Sequence, residues 1–525
     1  MSDLEAIANA LLISSDVGIM RQSTACAQCR SSKRRCKAQA PGQPCTGCSR
    51  SKIGCSFLRG HTRIQSLAPR PNEEPIPISP PRRDEKVHEI ESLAVDDVEE
   101  LCQAYFYYIH DRPHSLFHLH SFWESFKRGS LDQCLLHSIC ALAACLSKRT
   151  HMKALGPAFA LHSKQLLHTG LEDISLSKIQ TCILLANYCA AVIEPSSEAL
   201  YFGRVRQLLG QSQMSAAHPF VGIAIRMAHI LRLDVSDPAE EPVLREVKTR
   251  VWCTLIMADN WCSHGLGLPR QLTGRQPRAG LPMDERLFQK LCATAGSSLS
   301  AEPTEGLWAY KIKLVNILGP IHDLNRRLVE EHLDDETVNA IVDSLTQRLD
   351  AWADALPAHM QMNDKTLESF RQDGYGGPFV ALHLGYHHYA TLLYFQYLDS
   401  QKPKSASTEV NVEKCKRHAS MYSKLLARSR SKSGCEVVYA TVGQMTVVSS
   451  SVLLHTLLLG TSDEVADVRQ DLTANFAALI ELRELWPSLD RIVGSHCPQI
   501  HISGVIWIID LQADQPPVSF PRRLS

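Results

Sequence analysis

The sequence predicts a large all-α body behind a small metal-stabilised N-terminal unit, and three observations carry that prediction. Six of the 18 cysteines fall within the 30 residues from Cys26 to Cys55. Farther along, apolar residues recur at helical rather than strand spacing, as in Val338, Ile341, Leu345, Leu349, Trp352 and Leu356, which step by 3, 4, 4, 3 and 4. Between these regions Pro69, Pro71, Pro75, Pro77, Pro80 and Pro81 occur within 13 residues, a composition that builds neither helix nor inner strand. The chain accordingly divides into an N-terminal extension (1–20), a metal unit (21–60), a Pro-rich linker (61–98), a helical body (99–512) and a C-terminal tail (513–525).

The metal unit comes first. Cys26, Cys29 and Cys36 repeat as Cys45, Cys48 and Cys55, two copies of C-x2-C-x6-C separated by eight residues. Each triplet offers three thiolates where tetrahedral zinc takes four. Two neighbouring ions need eight ligand positions, and six cysteines fill them when two thiolates bridge. The pseudo-symmetry nominates the first of each triplet, Cys26 and Cys45, as the bridges. A disulfide framework is the competing reading of an even cysteine count. Against it, residues 1–20 carry Asp3, Glu5 and Asp16 and no basic segment of export type. The other 12 cysteines, Cys140, Cys145, Cys182 and Cys253 among them, sit singly in apolar stretches, as small hydrophobes of a reducing compartment do. An intracellular chain is expected.

Charge indicates what this unit touches. From Val17 to Asn72 there is no Asp or Glu, whereas eleven Lys and Arg are present. Six thiolates and two zinc ions offset two of these charges, leaving about nine on a compact knot, an electrostatic footprint for nucleic acid. The whole chain is formally neutral, so the remainder holds 44 basic against 55 acidic residues. A helix over 27–35 places Arg30, Lys33 and Arg34 on one face. Single-strand readers need aromatic platforms, but Phe57 is the only aromatic from Arg21 to Arg70, which favours duplex DNA.

The run Cys26-Ala-Gln-Cys29-Arg30-Ser-Ser-Lys33-Arg34-Arg35-Cys36, followed by Pro44-Cys45-Thr-Gly-Cys48 and Cys55, is similar to the fungal binuclear zinc-cluster DNA-binding domain. The resemblance implies two short helices related by a pseudo-twofold, the first directed into the major groove at a CGG-type triplet. It also implies that Lys33 reaches guanine O6 and N7, and that Arg30, Arg34, Arg35 and Lys37 mostly hold phosphates. Ser32 stands where many members carry a second basic residue, a departure from a two-lysine readout.

In the linker region, Val87, Ile90, Ala94 and Leu101 fall near a heptad pattern over about two heptads, short of the three to four that define a coiled coil. Dimerisation through such a seam stays open.

The body from 99 to 512 reads as helix almost throughout. The apolar stripe from Val338 begins after Asp334-Asp335 and stops at Pro357. Further helical segments are legible at 131–148, 176–193, 218–233, 243–263, 307–331, 378–399, 409–429 and 464–486. Phe106, His110 and Leu116-Phe117-His118, then Glu246, Arg250, Val251-Trp252, Asp259, Ser263 and Gly267-Leu268-Pro269, resemble the regulatory middle homology domain that accompanies fungal zinc clusters. Trp352 and Leu356-Pro357 fit the same likeness.

Some features invite sharper readings. His110, His114, His118 and His120 form no tight ligand pair on one helical face and are read as packing in an aromatic segment. Val437 to Ser462 is 26 residues without a formal charge, long enough to cross a bilayer, yet Gln444, His455 and several Ser and Thr interrupt it. A buried core helix is expected, and no membrane partner. Gly-rich phosphate loops, the G-x-S-x-G elbow and H-E-x-x-H are absent from the sequence, so no enzyme is expected.

The sequence therefore points to a nuclear, zinc-dependent, double-stranded-DNA-binding regulator of RNA polymerase II genes with CGG-type half-sites. Its helical body is expected to answer a metabolite or partner and to recruit transcription machinery or coactivators, through segments such as Leu328 to Asp335. Family precedent favours an activator, of a metabolic or secondary-metabolite gene cluster for instance. The basic run Arg30 to Lys37 doubles as a nuclear import signal. Two other readings stay open here: a zinc-dependent protein-interaction scaffold, and a metabolite-sensing helical protein whose DNA contact is supplied by a partner.

Overall fold

The structure, a computed structural model, describes residues 36–37, 45–51, 89–192, 218–266, 270–272, 280–291, 305–399, 406–459, 462–486 and 489. The chain separates into two compact units, one of residues 13–81 and one formed mainly by residues 82–525. Within the first unit the described helix is α1, Thr46–Arg50. The helix expected over 27–35 lies outside the described residues.

The second unit is helical. In order it contains α2 (Val95–Tyr108), α3 (Leu119–Lys127), α4 (Gln133–Ala144), α5 (Thr150–Thr169), α6 (Leu176–Ala191), α7 (His218–Ile230) and α8 (Pro242–Leu266). There follow α9 (Glu285–Gln289), α10 (Leu307–Glu330), α11 (Asp335–Asp354), α12 (Asp364–Gln372), α13 (Gly376–Tyr394), α14 (Ala406–Arg430), α15 (Ala440–Leu459) and α16 (Ser462–Leu485). Among the described residues no strand forms, and two isolated bridges pair His110 with His114 and Met283 with Glu305.

Side-chain acceptors set several of the helix starts, each satisfying backbone N–H groups that the first turn leaves without partners. Asp132 accepts from Cys134 N (2.8 Å) and Leu135 N (3.2 Å) to open α4. Asp334 accepts from Thr337 N at 2.8 Å to open α11, and Asn363 and Thr366 close a capping box on α12. The acidic-apolar stretch from Leu328 is thus the end of α10 and the capped start of α11, with Val329 exposed and Leu328 and Leu333 packed against the core.

Packing builds two bundles. In the N-terminal bundle α4 packs on α2, α5 and α6, and α6 on α7; in the C-terminal bundle α14 packs on α13, α15 and α16. Between them, α8 contacts α6, α7 and α10, and α10 contacts α11 and α13. The stripe on α11 buries Val338, Leu345, Leu349 and Trp352 as its spacing predicts, with Val342 deeper than its neighbour Ile341. Of the heptad positions read at 87–101, Ile90 and Leu101 belong to this core and Ala94 is exposed, while Val87 lies outside the described residues.

α15 is the one described helix long and apolar enough to cross a membrane. It packs on α14 and α16 and carries a buried polar ladder: Ser449 Oγ bonds Ser423 Oγ at 3.0 Å and donates to Ala419 O at 2.9 Å, and Asn475 donates to Ser449 and Ser450. That ladder is the hallmark of a helix made for a protein interior.

Buried histidines give the body a pH signature. Across α13 and α14, His387 Nδ1 and His418 Nδ1 lie 3.0 Å apart and share one hydrogen, while His383 Nε2 donates to Met360 O at 3.0 Å. Burial pushes His383 and His418 down to about 4, and burial followed by the His418 charge pushes His387 down to about 3. Burial, then His162, likewise lowers His137 to about 4. These rings stay neutral when folded but take up protons below about pH 6.5 when unfolded, so their stabilisation is complete above that pH and is lost as pH falls. Chemical denaturation of the chain should show a midpoint that declines as pH falls from about 6.5 to 5. A midpoint constant or rising over that window would show that these histidines are not held neutral.

Candidate metal centre and buried charge joint

The first unit has almost nothing with which to build an apolar core: from Arg21 to Gly60 its bulky aliphatic and aromatic residues are Ile53, Phe57 and Leu58. What is buried among its described residues is sulfur. Cys45 and Cys48 are both 0% exposed, at the start and middle of α1. Cys48 N–H points at Cys45 Sγ across 3.4 Å, a contact that favours the thiolate form zinc requires. Cys36 is half-buried and leads directly to exposed Lys37, whose carbonyl accepts from Thr46 N at 3.1 Å, tying the end of the first triplet to the start of the second. Buried, amide-supported sulfurs in a segment without another core fit a metal-held fold. Cys26, Cys29, Cys55, Arg30, Lys33, Arg34 and Arg35 lie outside the described residues.

In the helical body three of the residues that resembled a regulatory domain, His110, Glu246 and Arg250, belong to one buried polar joint. Its centre is Arg250 on α8, with a side chain only 1% exposed. Its guanidinium donates to Glu246 Oε1 (2.8 Å), Ser115 Oγ (3.0 Å) and Met283 O (2.7 Å), lies 3.8 Å from Glu285 Oε1, and covers the Phe288 ring at 4.4 Å. Glu285 in turn accepts from Leu307 N and Trp308 N, both at 2.9 Å, so it supplies the N-terminal acceptor that α10 lacks in its own cap residue, Gly306. Burial pushes the Glu246 and Glu285 carboxyls up, and Arg250 pulls both back.

Asp111 completes the joint from the turn after α2. Its backbone is left-handed, φ 62°, a conformation Asp tolerates through local hydrogen bonding, and its carboxylate accepts from Ser115 Oγ at 2.6 Å. Burial opposes its ionisation, but His110 and Arg250 hold it well below the usual carboxylate range. His110 Nε2 accepts from Leu116 N (3.2 Å) and Phe117 N (3.1 Å), which places its hydrogen on Nδ1, 3.2 Å from Asp111. His114 bonds the Tyr105 hydroxyl at 2.7 Å, His118 caps α3, and exposed His120 faces Glu124 at 3.5 Å. The four histidines therefore each have a separate packing or capping role.

Two flanking contacts extend the joint. Lys311 Nζ donates to Arg112 O, and burial pushes this amine down to about 7, with Asp111 opposing and Arg112 reinforcing the shift. Farther along α8, Asp259 accepts from Ser263 Oγ (3.2 Å) and Leu272 N (2.9 Å), clamping the chain that leaves the helix. Gly267 to Pro269 lie outside the described residues. Of the joint, the sequence picked out His110, Glu246 and Arg250 but not Asp111, Arg112, Ser115, Glu285 or Lys311, whose partners are distant in the chain and follow no short spacing.

Against known proteins, residues 24–63 match the family model "Fungal Zn(2)-Cys(6) binuclear cluster domain" and residues 102–354 match "Fungal specific transcription factor domain". The chain is similar to an uncharacterized transcriptional regulatory protein of Schizosaccharomyces pombe, 24% identical over 318 residues that cover 55% of this chain and 31% of the relative. A second such protein of that organism is 22% identical over 337 residues, covering 56% of this chain and 38% of the relative. A Zn(2)-C6 fungal-type transcription factor of Fusarium oxysporum f. sp. lycopersici is 20% identical over 438 residues, covering 75% of this chain and 45% of the relative. The chain spans less than half the length of each of these relatives.

Replacing Arg250 by Met should cost about 3–5 kcal/mol, because it leaves two carboxylates buried without their cation. Chemical denaturation at pH 7 would read this, and a loss under about 1 kcal/mol would mean that the site relaxes or takes in water instead.

Proposed function

We propose, from the premise that this chain belongs to the fungal Zn(2)-Cys(6) transcription regulators, that it is a nuclear protein that reads CGG-type triplets in double-stranded DNA and controls RNA polymerase II genes. The observation that carries the proposal is the pairing of a six-cysteine unit with a run of eleven basic and no acidic residues between Val17 and Asn72. The family is one of transcription regulators and not of enzymes.

Cys26, Cys29, Cys36, Cys45, Cys48 and Cys55 are the residues that would hold two zinc ions, Cys26 and Cys45 bridging. When bound, the metal supplies cross-links in place of a hydrophobic core, so its binding free energy is the folding free energy of the segment. Lys33 contributes sequence information by donating to guanine O6 and N7 in the major groove. Arg30, Arg34, Arg35 and Lys37 add affinity by neutralising phosphates, which fixes register without reading bases. Lys37 stands exposed, and its carbonyl accepts from Thr46 N at the start of α1, the helix that carries Cys48. The helical body is the regulatory part, receiving a metabolite or partner and contacting transcription machinery, and activation is the direction we favour.

Fluorescence anisotropy of the full chain on a duplex with CGG triplets and on a scrambled duplex, with zinc and after chelation, tests this reading. A zinc-dependent preference for the CGG duplex supports it; zinc-dependent folding with equal affinity for both would contradict sequence-specific reading. Lys33→Ala should cost about 1–3 kcal/mol on the CGG duplex and relax the preference. Arg35→Ala should weaken both duplexes alike and reduce the salt slope by about one. Cys45→Ser should lower the metal content and unfold the segment, while the helical body keeps its melting transition.

A further inference from the structure

We infer that the nine-residue turn from Ile109 to Phe117 is a mechanical joint that couples α2 to the C-terminal bundle, with Arg112 as its tie. Arg112 is a buried arginine, 5% exposed, and among the described residues its guanidinium makes no ion pair at hydrogen-bond distance, although the Asp111 and Glu436 charges partly offset its burial. It spans two carbonyls instead: Nη1 donates to His110 O at 3.3 Å within the turn, and Nε donates to Glu436 O at 3.3 Å on the segment between α14 and α15. The same guanidinium lies flat against the first turn of α13, where a Cβ on Gly377 would come within 2.5 Å of Nη2. Gly377 N–H donates to Gly434 O at 3.1 Å, and a Cβ on Gly376 would meet that carbonyl at 2.5 Å. Three chain segments thus close around one side chain, and glycine is what lets the backbones approach.

The other side of the turn belongs to the N-terminal and central helices. Ser115 exchanges hydrogen bonds with Thr254 on α8 (3.3 and 3.2 Å), Gln180 on α6 donates to Leu116 O at 2.7 Å, and Lys311 on α10 holds Arg112 O. The turn continues directly from α2, the first long helix after the linker. A buried cation held by backbone carbonyls on both sides cannot slide on one side alone without losing bonds it has no water to replace. A displacement of α13 or of 434–436 must therefore either carry the turn along or break the tie. In the regulatory reading of this body, that coupling is how a change in the C-terminal bundle reaches α2.

Hydrogen exchange followed by mass spectrometry on the full chain tests the joint without reference to DNA, so its failure and that of the DNA-binding reading are separate results. Arg112→Met should raise exchange at least about tenfold in three segments together, 109–117, 376–381 and 434–439, while α4 and α5 keep their protection. Gly377→Ala, which attacks the tie from the opposite side, should release the same three segments, and the double variant should do no more than the larger single one. Arg327→Gln, which breaks an exposed pair with Glu331 at the end of α10, should leave all three unchanged. Exchange that rises only in 109–117, or evenly through the whole body, would overturn the proposal.

Discussion

The helical body depends on one constraint: a guanidinium placed where water cannot reach it. An arginine as buried as Arg250 persists only if every side of its charge is met, and meeting it recruits Glu246 from its own helix, Glu285 from α9, Ser115 from the turn after α2 and the Met283 carbonyl. Those partners bring further obligations. Glu285 cannot leave without exposing the first N–H groups of a 24-residue helix, and Ser115 fixes Asp111, which fixes His110, which holds the amides of Leu116 and Phe117. Apolar packing supplies most of the stabilisation of such a body. The joint adds a penalty to any arrangement that separates its groups, because a charge is then stranded.

The two units place the same residue type in different surroundings. In the helical body, cysteines are small hydrophobes: burial pushes the Cys145, Cys182 and Cys262 thiols up to about 12, which keeps them protonated and inert. In the N-terminal unit Cys45 and Cys48 are equally buried, yet the Cys48 amide points at Cys45 Sγ, and the sequence from Val17 to Asn72 carries eleven basic and no acidic residues, conditions that favour thiolate. A body with a large apolar core can spare its cysteines for packing; a segment of about 40 residues without one cannot.

The long amphipathic helices were legible because their signal is local. α6, α8, α10, α11, α13, α14 and α16 fall close to the spans that periodicity indicates, since repeat spacing, Asp334 and Pro357 all act within a turn or two. α2, α3, α5 and α12 were not marked out. α5 carries Gly156 and Pro157 in its interior, and α3 and α12 are nine residues long, too short for periodicity to separate from loop. The cysteine unit that matches the binuclear cluster domain was legible from spacing, because its repeat is written in nearly consecutive residues. The joint was not, because it is made between residues distant in sequence: Arg250 to Ser115 spans 135 positions and Arg112 to Glu436 spans 324. The left-handed turn at Asp111 had no Gly or Asn-Gly signature to announce it, and the likeness to a regulatory domain touched His110, Glu246 and Arg250 without indicating that they meet.

A double-mutant cycle on Arg250 and Glu285, with Arg250→Met, Glu285→Gln and the pair compared by chemical denaturation at pH 7, addresses the central claim most directly. The expected result is a double variant less destabilised than the sum of the singles by about 1–3 kcal/mol, since each partner's burial is costly chiefly when the other is gone. Additivity to within about 0.5 kcal/mol would contradict it, and would mean that the body is held by packing alone, with the charges as passengers.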